Sequence, residues 1–120
     1  MLSIRRSAIT IAIILAGASQ AWAHAHPKVM VPAAESAVPS PAKIIVTFTE
    51  PVEAKFSALT LTDDKGAAVT KDHSQGDPKD PKTLTLAVPQ LSPGGYHVHW
   101  VSVAPDGHRM EGSYKFSVIK

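Results

Sequence analysis

The chain contains no cysteine, so no disulfide can staple it and no thiolate is available for zinc or Cu(I). That absence leaves an oxidising compartment open. Methionine is scarce, with 3 in the whole chain, and Met30 and Met110 are too scattered to suggest a thioether site for Cu(I). A membrane-spanning run is also missing: the apolar stretch from Ala8 to Ala16 falls short of the roughly 20 residues that crossing a bilayer as a helix needs. No nucleophile with a partnered base stands out, since Ser92, Ser102 and Ser113 lack His and Asp neighbours in sequence. No amphipathic helical pattern follows residue 23, and charge of one sign is not in excess. The formal net charge is +2, and Arg5 and Arg6 account for it; beyond them stand 10 basic against 10 acidic residues. Neither nucleic acid nor anionic lipid is therefore expected as a partner.

What is present begins at the N-terminus. Arg5 and Arg6, the apolar run and the small residues Ala21 and Ala23 make the three-part layout of a secretory signal. Twin-arginine export matches poorly after the Arg-Arg pair. Cleavage after Ala23 divides the chain into a signal peptide, residues 1–23, and one mature domain, residues 24–120, which does not span a membrane. The cut would leave His24 as the first residue. A free N-terminal histidine offers its α-amine and its ring Nδ1 from one residue, a chelate that no internal histidine can supply.

The rest of the chain reads as strands. Lys43 to Thr49 is dense in β-branched residues, and Phe56 to Thr62 and Thr83 to Val88 alternate apolar with polar. In Tyr96 to Val103 the period of two places Tyr96, Val98 and Trp100 on one face and His97 and His99 on the other. Lys28 to Val31 and Ala67 to Thr70 suggest short strands, and Gly112 to Ile119 the last one. Pro32 to Pro41 is a proline-rich connector in which regular structure is not expected, and Lys71 to Lys82 reads as a polar surface loop. About seven strands with frequent turns give an all-β sandwich of immunoglobulin-like type. The last two strands should form a hairpin with Asp106-Gly107-His108 at its tip, Asp-Gly being a strong hairpin dipeptide.

His24, Asp106 and His108 together offer three nitrogens and an oxygen, the donor set and tetragonal geometry that Cu(II) prefers. Each piece also has a plain explanation: His24 as an accident of where the signal ends, Asp-Gly as a turn, His108 as a solvent-facing side chain. The combination favours the metal. Glu50, at a Glu-Pro step after a strand, and His26 are auxiliaries, with Glu50 suited to accept a hydrogen bond from a ligand. His97 and His99 are expected to be the polar face of a strand, and His73 to be solvated.

The chain resembles the CopC family of periplasmic copper-binding, copper resistance proteins. The resemblance rests on His24-Ala25-His26-Pro27 after the signal, on Pro41-Ala42-Lys43-Ile44 leading into Phe48-Thr49-Glu50-Pro51, on Gly95-Tyr96-x-Val98-x-Trp100, and on Asp106-Gly107-His108 ahead of Gly112-Ser113-Tyr114-Lys115-Phe116. It implies a Greek-key β-sandwich or barrel, periplasmic localisation, and one Cu(II) per mature chain held by the amine and ring of His24 with Asp106 and His108. It associates Glu50 with the site and an inner-membrane copper importer of the CopD type with the protein. Members that also bind Cu(I) carry a methionine-rich loop where this chain has Asp63 to Lys82, with His73 and no methionine, so no Cu(I) site is expected. Sequestration or delivery of copper is the function implied, not turnover. A histidine brace is also the centre of lytic polysaccharide monooxygenases, which makes a copper monooxygenase the alternative; a metal-free immunoglobulin-like interaction module is the third reading.

Overall fold

The computed structural model describes residues 24–120, so the expected signal segment lies outside the described residues. These residues fold into eight strands and no helix: β1 (Pro27–Val31), β2 (Ala37–Val38), β3 (Lys43–Phe48), β4 (Ala58–Asp63), β5 (Gln75–Asp77), β6 (Asp80–Ala87), β7 (Gly94–Val103) and β8 (Arg109–Val118). Two four-stranded sheets result, in the orders β1-β3-β6-β5 and β2-β8-β7-β4. The chain changes sheet at every connection except β5–β6 and β7–β8. That alternation makes a sandwich of the two sheets, as the strand pattern predicts.

The core lies between the sheets and follows from the period-two alternation. Ile44, Val46 and Phe48 of β3, Leu59 and Leu61 of β4, Leu84 and Leu86 of β6, Val98 of β7 and Phe116 of β8 are all but fully buried. Phe48 meets Trp100 edge-on at 5.7 Å, and Tyr96 stacks on Phe116 at 5.9 Å. The outward positions between them carry His97 and His99, both exposed.

Three segments differ from expectation. The proline-rich connector contains β2, paired in parallel with the end of β8. The residues between its prolines keep both N–H and carbonyl groups, and the pairing uses them: Glu35 N–H donates to Lys115 O, Ser117 N–H to Ser36 O and Ile119 N–H to Val38 O. The polar stretch from Lys71 to Lys82 is not wholly loop, because β5 and the start of β6 form a hairpin there. As a fully exposed sheet edge β5 carries no apolar period. The turn is instead fixed by Asp77 and Asp80, whose carboxylates accept from the Lys79 and Lys82 amides at 2.8 and 2.9 Å. The segment from Ala67 to Thr70 makes only a bridge between Ala68 and Thr62.

Candidate metal centre

Two structures converge at one end of the sandwich, an arm ahead of β1 and the loop joining β7 to β8. The arm is His24-Ala25-His26. Ala25 is buried in the core cluster, and its carbonyl accepts a hydrogen bond from the buried Ser102 hydroxyl at 2.8 Å. Past the end of β3, Thr49 N–H donates to His26 O at 2.8 Å, while Thr49 Oγ1 accepts from His26 N–H at 3.1 Å and donates to His24 O at 3.4 Å.

The loop is closed by its own backbone. Ala104 N–H donates to His108 O at 2.9 Å and Gly107 N–H to Ala104 O at 2.8 Å. Gly107 sits at φ +89°, a conformation that glycine adopts without steric cost. Asp106 turns both oxygens back on His108: Oδ1 accepts from the His108 amide at 3.0 Å and Oδ2 meets the ring Nδ1 at 2.7 Å. The His108 amide, and after it the ring, holds the Asp106 carboxyl below its usual range. An ionised carboxylate only accepts, so Nδ1 is the donor and Nε2 is the ring nitrogen left to face a ligand.

Arm and loop bring the rings of His24 and His108 to a centroid distance of 5.4 Å, edge-on at 78°. His24 Nδ1 is buried there with no hydrogen-bond partner. A buried ring nitrogen without a partner is costly, and a metal ion satisfies it as a hydrogen-bond donor would. The chemistry of the two imidazoles fits a borderline divalent cation such as Cu(II).

The sequence-expected residues thus fall unevenly. His24 and His108 come together ring to ring, while Asp106 is engaged with His108. Glu50 follows Thr49 directly, half-buried, and takes part in none of the hydrogen bonds that hold arm and loop. The exposed His26 is fixed through its backbone. Among the described residues no three His, Cys, Asp or Glu side chains form a group able to hold a metal ion, and His24, Asp106 and His108 are no exception. His97 and His99 point to separate carboxylates, Asp64 at 3.6 Å and Glu111 at 3.3 Å. Sequence reasoning missed Thr49 and Ser102. For Ser102 the signal was there: it stands at an inward position of β7, after Tyr96, Val98 and Trp100, where the alternation asks for an apolar residue.

The family model of the CopC domain matches residues 28–119. Protein YobA of Escherichia coli strain K12 is 37% identical over 99 residues, which cover 81% of this chain and 80% of that protein. Copper resistance protein C of Escherichia coli is 34% identical over 124 residues, covering 96% and 97%. Among solved structures, CopC from Methylosinus trichosporium OB3b superposes with a TM-score of 0.75 at 32% identity, over 79% of this chain and 93% of its own. PcoC, described as a methionine-rich copper resistance protein from Escherichia coli, does so with a TM-score of 0.69 at 33% identity, over 80% and 99%. A family match across nearly all the described residues, joined to relatives of this identity and coverage, places the chain in the CopC family.

Proposed function

We propose that this chain is exported to the periplasm, cut after Ala23, and there binds one Cu(II) per mature chain for sequestration or delivery. The observation that carries the reading is the meeting of His24 and His108 with His24 Nδ1 buried and partnerless. His24 would contribute its amine and Nδ1, and His108 its Nε2. Asp106 holds the His108 ring, and the one bond accepted by each of its oxygens leaves each a lone pair with which the carboxylate could serve as the oxygen ligand. The names of the copper resistance relatives support copper as the cargo. No Cu(I) site is proposed, because Met30 and Met110 pack against the core and no methionine lies between Asp63 and Lys82. Hand-off to an inner-membrane importer of the CopD type fits an exported carrier.

Using the amine ties binding to processing. In the uncut chain that nitrogen is an amide, without a basic lone pair. In the cut chain it is an amine of ordinary pKa roughly 7.7–8.0, from which the ion must displace a proton. The test is electron paramagnetic resonance and competition titration of protein starting at His24, beside protein with one extra residue before His24 and beside His108→Ala. Both changes remove a nitrogen ligand and should weaken Cu(II) binding by more than the roughly 10–100-fold that loss of an outer partner costs. Equal affinities and spectra for the cut and extended forms would refute the proposal.

A further inference from the structure

The arm ahead of β1 is held in a way that the β-ladder does not account for. Chain ends fray unless something ties them down, and the pairing of β1 with β3 reaches only Pro27 opposite Phe48, with an irregular step between Pro27 and Val29. Beyond that point one backbone bond remains, from Thr49 N–H to His26 O, and two hydroxyl side chains do the rest. Thr49 Oγ1 bridges His26 N–H and His24 O, and Ser102 Oγ reaches Ala25 O. All three residues from His24 to His26 are therefore gripped through their backbones by side chains from two different strand ends, one in each sheet. Ser102 is 1% exposed on a face otherwise built from Tyr96, Val98 and Trp100. A hydroxyl in such a place is unfavourable unless it is bonded, and the arm supplies its acceptor.

We infer that Thr49 and Ser102 are positioning residues, a two-point latch that fixes the backbone of the arm so that His24 faces His108 before the ion arrives. The inference rests on the copper reading above. A loose terminus would have to be ordered at each capture, and holding it in advance removes that entropic cost from binding. Neither hydroxyl needs to touch the ion. Their effect passes through the carbonyls and amide of residues 24–26 to the ring and amine of His24.

The test uses protein starting at His24 and three variants: Thr49→Val, which keeps the shape and loses the hydroxyl, Thr49→Ser, which keeps the hydroxyl, and Ser102→Ala. The first readout needs no metal. Hydrogen exchange at the His26 amide, the donor to Thr49 Oγ1, should lose protection in Thr49→Val and keep it in Thr49→Ser. The second is Cu(II) affinity with the resonance spectrum. Thr49→Val and Ser102→Ala should each bind about tenfold more weakly, as loss of a partner for a backbone group predicts, and show more than one copper species, while Thr49→Ser retains wild-type affinity and a single species. If Ser102→Ala does not fold, the exposed Thr49 position carries the test alone. Wild-type affinity and a single species in Thr49→Val, with wild-type binding intact, overturns the latch and leaves the copper reading standing; so does a loss as large in Thr49→Ser, which would assign the effect to packing. Failure of the wild-type protein to bind Cu(II) through its free amine overturns both.

Discussion

Asp106 spends both oxygens on the residue two positions on, and His108 is consequently the side chain most dependent on it. Asp106→Asn should weaken Cu(II) binding by about 10–100-fold, measured by competition titration. The pH dependence separates its part from that of the nitrogens. Because the folded state holds the carboxyl below its ordinary 3.8, the contact is fully present above that pH and is lost only as pH falls through the lowered value. A decline in affinity between pH 8 and 5 must then come from protons competing for nitrogen ligands, and Asp106→Asn should show the same slope across that window. Tyr114 gives a second prediction. Its hydroxyl is buried without a partner, and burial pushes its pKa up from 10.0 to about 12. The neutral form is the one the fold favours, so the associated stability is present below pH 10 and lost as pH rises through about 12. Denaturant titrations should show wild-type protein losing stability across that interval more steeply than Tyr114→Phe. At neutral pH Tyr114→Phe should be at least as stable, because it removes an unsatisfied polar group.

Among the elements, the β7–β8 hairpin carries the loop, and at one pair the Trp100 side chain lies close over the facing glycine. Gly112 faces Trp100 across the pair, and a Cβ at that position would stand 2.7 Å from Trp100 Cζ2. Gly112→Ala should destabilise the domain by about 1–3 kcal/mol, as overpacking does, seen as a drop in melting temperature with a change in the fluorescence of Trp100. The long elements were legible in the sequence because each buries one face: β3 through its β-branched density, and β7 and the Thr83–Ala87 part of β6 through alternation. β2 and β5 were not: β2 has two residues, of which only Val38 packs against the core, and β5 is exposed throughout, so neither offers a period to read. Their order comes from backbone bonds of the residues between the connector's prolines and from aspartates capping a turn. The same limit applies to the site. His24 and His108, singled out by their chemistry, lie ring to ring, whereas the bonds of Thr49 to the arm run to backbone groups and leave no mark on the pattern.

For the molecule as a whole, an ion that binds only the folded state must raise the melting temperature. At a free Cu(II) concentration 100-fold above the dissociation constant the gain is about 2.7 kcal/mol, or roughly 10 °C or more for a domain of this size. Differential scanning calorimetry should find that rise in protein starting at His24 and most of it absent in protein with one residue added in front; no rise in either would favour the metal-free interaction module. On the proposed reading the sandwich also dictates when the ion could be taken up. Its arm comes from the first described residues and its loop from the last hairpin, so the two imidazoles meet only after both sheets have closed over Phe48 and Trp100. A chain still threading through the export machinery, or one clipped short of β8, would present isolated histidines and no grip. Uptake of the cation would in that sense be a certificate of finished assembly, issued by the architecture itself.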